Sequence, residues 1–126
     1  MKRPTIDSPE SEILDYTRFW VTCAAEQGLD RAVQILDQKE DSPSWSEALI
    51  RTISEDHFGD GKTCVITDPR KHQELRVDAY EYDDGSGFAV DHDLAMNDQV
   101  SDFTAQLEFI RTDQGYSIFL TDIHVL

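Results

Sequence analysis

Phe103-Thr104-Ala105-Gln106-Leu107-Glu108-Phe109 decides the fold. Apolar side chains stand at every second position with polar ones between them, the period of a strand that buries one face and shows the other. Downstream, Thr112-Asp113-Gln114-Gly115 reads as a hairpin turn. Its partner strand runs from Tyr116 to Val125, with Ile118 and Leu120 on one side and Phe119, Thr121, Ile123 and Val125 on the other. Upstream, Leu75, Val77, Ala79 and Glu81 alternate with Arg76, Asp78, Tyr80 and Tyr82, a second strand pattern. Asp83-Asp84-Gly85-Ser86-Gly87 turns that strand back, because glycine accepts the positive φ of hairpin loops, and Phe88-Ala89-Val90 forms the third strand. A first, short strand is expected at Thr63-Cys64-Val65-Ile66-Thr67, stopped by Asp68-Pro69.

The N-terminal part keeps a different period. Ile13, Tyr16, Trp20, Cys23 and Ala24 recur at spacings of three and four, which stacks them on one face of a helix. Ser8 as cap followed by Pro9 starts this helix and Gly28 stops it, giving about 18 residues. A second helix is expected from Leu29 to about Gln38, with Leu29, Ala32, Val33 and Leu36 on one side. A third is expected from Ser44, capped there with Glu47 reaching back, its apolar face being Trp45, Ala48, Leu49 and Ile53. The sequence therefore predicts one α+β domain over 1–126: a helical part, 1–58, with three helices packed on a curved antiparallel sheet of about five strands, 59–126. A cystatin-like or nuclear-transport-factor-like cone is one form of such a sheet.

Composition narrows the function. With 11 Lys and Arg against 26 Asp and Glu the formal charge is −15, which disfavours direct binding to nucleic acid or to an anionic membrane. Trp20, Trp45 and six Phe argue for a packed core rather than a solvated tail. Met1-Lys2-Arg3-Pro4 is followed by no apolar export segment, so a cytoplasmic location is expected. Cys23 and Cys64 are read as buried reduced thiols.

Motifs for chemistry are weak. His57, His72, His92 and His124 form no zinc-type spacing with the cysteines, and no metal or cofactor is expected. In Asp91-His92-Asp93 the histidine of a strand points opposite to its neighbours, so the three cannot share an ion, and the stretch reads as an acidic edge with a surface His. The Gly59-Asp60-Gly61-Lys62 stretch lacks the rest of a P-loop. Two alternatives to a plain binding protein stay open: a generic acidic interaction module, and a pocketed sheet that binds or transforms a small molecule. The pocket would be open if Asp78, Tyr80 or Asp122 converged on the helix-side face, and filled if Phe103, Leu107, Phe109 and Ile118 occupied it.

Charge is distributed unevenly. Residues 77–110 contain no Lys or Arg but nine acidic residues, whereas the first 56 residues mix six basic with twelve acidic ones. Such a field steers association with a basic partner. The partner-contacting residues expected from the arms and turn of the second hairpin are Glu81, Asp83, Asp84, Asp91 and Asp93, with Tyr80 and Tyr82 as aromatic anchors.

The C-terminal run Val100-Ser101-Asp102-Phe103-Thr104-Ala105-Gln106-Leu107-Glu108-Phe109, the Gly115 turn and the ending Thr121-Asp122-Ile123-His124-Val125-Leu126 resemble uncharacterised bacterial proteins that finish in Asp-Ile-His-Val-Leu. In size, acidity and helices-then-sheet order the chain also resembles the cognate immunity proteins of bacterial contact-dependent or polymorphic toxin systems. That likeness implies a non-catalytic cytoplasmic inhibitor that covers the basic active-site region of a cognate toxin domain, a nuclease in many such systems. It transfers no residue.

Overall fold

The computed structural model describes residues 2–38, 46, 48–50, 52–53 and 65–125, the side chain of Val125 apart. Helix α1 spans Glu10–Gln27, 18 residues, and buries Ile13, Tyr16, Thr17, Trp20, Val21 and Ala24 along one stripe. Pro9, not Ser8, precedes its first turn; Ser8 instead closes a local turn, its hydroxyl accepting the Thr5 N–H at 2.8 Å. Gly28, at φ 91°, ends α1 with its N–H on the Ala24 carbonyl, a backbone conformation that suits glycine. The fully buried Trp20 is core, and its indole N–H is satisfied by the Ala32 carbonyl at 2.8 Å. Cys23 is free and half-buried rather than fully buried, because it sits at the flank of the stripe; burial, then the neighbouring Glu26, pushes its thiol pKa up. Cys64 lies outside the described residues.

Helix α2 covers only Leu29–Gln34, four residues shorter than expected. Ile35 and Leu36 tighten onto Ala32 and Val33, and the chain then leaves the helix because Asp37 is drawn to the sheet edge. There the Asp37 N–H donates to the Ile118 carbonyl and its carboxylate accepts the Ile118 N–H, both at 2.8 Å. Arg3 holds that carboxylate from the other side at 2.7 Å. An edge strand with open backbone groups invites pairing with another chain, and this clip occupies one position of it. Residues 48–50 and 52–53 are helical, with the Ser46 hydroxyl accepting the Leu49 N–H at 3.1 Å and Ile50 joining the core. The expected cap and face at Ser44, Trp45 and Glu47 lie outside the described residues.

Five antiparallel strands follow: β1, Ile66–Thr67; β2, Val77–Glu81; β3, Gly87–Met96; β4, Gln99–Thr112; and β5, Gly115–Val125. β1 and β2 both pair with β3, β1 against its end and β2 against its beginning, and β4 and β5 complete the sheet. The expected strand residues Thr63 and Cys64 are outside the described set. The third strand is the main departure from expectation, running ten residues where Phe88-Ala89-Val90 was read. It turns into β4 through Asn97 and Asp98, both at positive φ of 51° and 61°, which these two residue types tolerate. A register shift between Asp93 and Ala95 is closed by Ser101, whose hydroxyl donates to the Leu94 carbonyl at 2.7 Å and accepts the Phe103 N–H at 3.2 Å.

One face of this sheet is the core. Phe88, Val90, Leu94, Phe103, Ala105, Leu107, Phe109, Ile118 and Ile123 meet the buried stripe of α1, with Phe109 edge-on to both Tyr16 and Tyr116. Dry, close packing of this kind supplies most of the stabilisation of a small domain.

Candidate functional site: the open face of the sheet

Side chains alternate across strands, so each strand sends its polar members to the face away from α1. Register then aligns them in rows: Asp78 opposite Asp91, Asp91 opposite Gln106, and Gln106 opposite Asp122. A second row joins Asp93, Thr104 and His124, and a third joins Tyr80, Ala89, Glu108 and Phe119. Asp78, Asp91, Asp93, Glu108 and Asp122 thus share one surface with Tyr80, Tyr82 and the guanidinium of Arg76. The buried residues of α1, α2 and the third helical stretch belong to the core cluster, and on the polar face Thr104 is itself 1% exposed.

The carboxylates are not equivalent. Asp93 is held from three directions, by the Thr104 hydroxyl at 2.9 Å, the Arg76 backbone N–H at 3.2 Å and the Arg76 side chain at 3.6 Å. Asp91 accepts the Gln106 amide at 3.0 Å, and Asp78 pairs with Arg76 at 3.1 Å. Asp122 lies 3.1 Å from Nδ1 of His124. Glu108 accepts the Tyr82 hydroxyl at 2.6 Å; burial first, and then the negative carboxylate beside it, push that phenol up to about 12. Tyr80 stands 49% exposed, its hydroxyl 3.4 Å from Arg76. Hydrogen bonds to an ionised acceptor hold the carboxylates of Asp91, Asp93 and Glu108 in place.

Of the seven partner-contacting residues read from sequence, the structure brings Tyr80, Tyr82, Asp91 and Asp93 onto this face. Asp83 and Asp84 are exposed on the adjoining turn, where the hydroxyl and backbone N–H of Ser86 hold the Asp84 carboxylate below its usual range. Glu81 belongs to the opposite parity and pairs with Arg111, of the same parity, at 3.3 Å. The acidic set that sequence reasoning missed for this role is Asp78, Glu108 and Asp122; their alternation with apolar neighbours was visible, but the row that joins them depends on pairing between distant strands.

One expectation needs correction. Asp91-His92-Asp93 is not an acidic edge with a surface histidine, because β3 is paired on both sides and His92 points into the core at 4% exposure. The ring gives Nδ1–H to the Asp93 carbonyl at 2.6 Å, and burial, then the nearby Arg18 charge, lower its pKa. Of the two alternatives for the helix-side face, the centre is filled: Phe103, Leu107, Phe109 and Ile118 are fully buried there, while Asp78, Tyr80 and Asp122 face the other way. Among the described residues no group of His, Cys, Asp or Glu side chains is placed to hold a metal ion, and no helix is long and apolar enough to cross a membrane.

The fold and this surface define the class: an α+β domain with helices on one face of an antiparallel sheet and an acidic, aromatic-bearing second face. The model of a family described as a domain of unknown function, DUF7668, matches residues 29–126, and the chain belongs to that family. The matched segment begins with α2 and takes in every strand, α1 preceding it. No curated protein and no solved structure matches the chain.

Proposed function

We propose that this chain is a non-catalytic binding protein whose open sheet face docks a basic protein domain, and that the partner is a bacterial toxin, of the nuclease kind, which it neutralises in the cytoplasm. The observation that carries the reading is the single surface on which five carboxylates flank Tyr80 and Tyr82, in a chain of formal charge −15. A cleft built to hold nucleic acid is lined with Lys and Arg, and an acidic surface of fixed geometry competes for the place of the phosphates. Tyrosine adds apolar contact area at low conformational cost, which suits it as an anchor inside a rim of charge. Asp83 and Asp84 extend the acidic field beyond the sheet along the β2–β3 turn. Glu81, turned toward Arg111, belongs to the rim of the interface rather than its centre.

The resemblance to immunity proteins supplies the biological setting, and charge complementarity supplies the mechanism. The test is co-purification of the tagged chain with the product of the gene immediately upstream, joined to a growth assay of that product with and without the chain. A one-to-one complex and rescued growth are expected; failure of both overturns the reading.

A further inference from the structure

A second, separate feature is lined by basic rather than acidic side chains. Between α1 and the segment leading from Pro69 into β2 lies a cleft of about 290 Å³, at the small end of the size range of metabolite pockets. Its polar wall carries Arg18, Arg70, His72 and His92, and no carboxylate is among its described lining residues. In a chain with 26 acidic and 11 basic residues, two guanidinium and two imidazole groups around one small cavity depart from the surface average. Leu75 and Val77 form an apolar wall beside them.

The cations are positioned from outside the cavity. Arg70 is fixed by Asp68 at 2.8 Å and Glu26 at 2.7 Å, and Arg18 gives Nη1 to Asp15 at 3.0 Å. None of these three acids lines the cleft. The Nε2 atom of His72 is buried and has no hydrogen-bond partner among the described residues, a condition that native structures resolve with water or a ligand. His92 has committed Nδ1–H to the Asp93 carbonyl, so Nε2 of its neutral ring is an acceptor and His92 shapes the cleft wall without giving a donor to an anion.

We propose that this cleft is a binding site for a small organic anion, a carboxylate or a phosphate monoester carrying a short apolar group. The anionic oxygens take the guanidinium donors of Arg18 and Arg70 and the Nε2–H of His72, and the apolar group lies against Leu75 and Val77. The site is independent of the open sheet face: it lies among α1, the Pro69–Lys71 turn and the helix-side edge of β2, so a ligand there leaves the acidic surface uncovered.

The experiment is an NMR titration of the full chain with inorganic phosphate, phenyl phosphate and benzoate, reading the ring signals of His72 and His92 and the amides of Arg18 and Thr22. Saturable shifts confined to these residues are expected with phenyl phosphate or benzoate, at a Kd of about 1 mM or tighter, and whichever binds better identifies the preferred head group. Arg18→Gln is expected to weaken that binding at least about tenfold with Tm unchanged, whereas Arg111→Gln, outside the cleft, leaves it intact. Val77→Phe, which fills the apolar wall, is expected to abolish it and keeps the test decisive if Arg18→Gln folds poorly. Shifts that grow linearly and spread over all surface cations would overturn the proposal, as would equal affinity in Arg18→Gln. Inorganic phosphate binding as tightly as phenyl phosphate would overturn the apolar half of it.

Discussion

The two faces of one sheet use the same strands for different ends. On the α1 side, Leu107 and Phe109 are fully buried and held by shape; on the open side, Gln106 and Glu108, one residue away, are half-buried and held by hydrogen bonds. The first face tolerates little change in volume, because packed interiors have no slack. The second tolerates changes of shape and is sensitive to charge. Close packing and polar display are thereby assigned to alternate residues of the same strands.

The largest effect is expected where the two faces share backbone. A Cβ added at Gly87 would lie 1.9 Å from the carbonyl oxygen of Phe109, which is fixed by the β3–β4 ladder. Gly87→Ala is expected to destabilise the fold by about 4 kcal/mol or more, read as a loss of the urea midpoint, and to damage both faces together. Next come the neighbours that separate them. Leu107→Ala is expected to cost about 3 kcal/mol through the cavity it leaves, while Glu108→Gln, which keeps the hydrogen bond from Tyr82, costs under about 1 kcal/mol in the same assay. Equal losses would break the division between the faces.

Asp93 sharpens the comparison, since it stands on the open face but works structurally. Removing its carboxylate in Asp93→Ala leaves the Thr104 hydroxyl and the Arg76 N–H without their acceptor, and about 1 kcal/mol of destabilisation is expected. A charge-reversal variant that includes Asp93 therefore perturbs the fold as well as the partner, and tests of recognition belong on Asp78, Asp91 and Asp122.

His92 gives the core face its own pH signature. Its folded pKa lies below the unfolded value of 6.5, so the unfolded chain takes up a proton first as pH falls. The stability of the neutral buried ring is fully present above pH 6.5 and declines as pH drops from there through the lower folded value. Urea midpoints measured on either side of that window should fall with acidity, and His92→Gln should flatten the slope; an unchanged slope would remove His92 from the account.

Much of this arrangement was legible in the sequence wherever the signal is local. The α1 stripe, the Phe103 to Phe109 alternation and the Asp113-Gln114 turn are all set by residues within a few positions of each other, and all stand where the periodicity puts them. The second half of β3 was not legible, because His92 takes an inward position that an apolar residue normally marks, so the alternation is broken on paper though intact in space. The early end of α2 was hidden for another reason: Asp37 leaves the helix for the edge of β5, a contact 81 residues away in sequence. The site was half legible for the same cause. Tyr80, Tyr82, Asp91 and Asp93 lie on or near one hairpin, whereas Glu108 and Asp122 join them only through the order of the strands.

The most direct measurement is the association rate of the full chain with the product of the upstream gene, at low and high salt, for the native protein and for Asp78→Asn, Asp91→Asn and Asp122→Asn combined. The three substitutions remove charge while leaving side chains of nearly the same shape. An unchanged Tm and an association rate reduced about tenfold at low salt are expected, the difference shrinking as salt screens the field. No complex with the native chain, or an association rate indifferent to the three substitutions, would contradict the proposed docking.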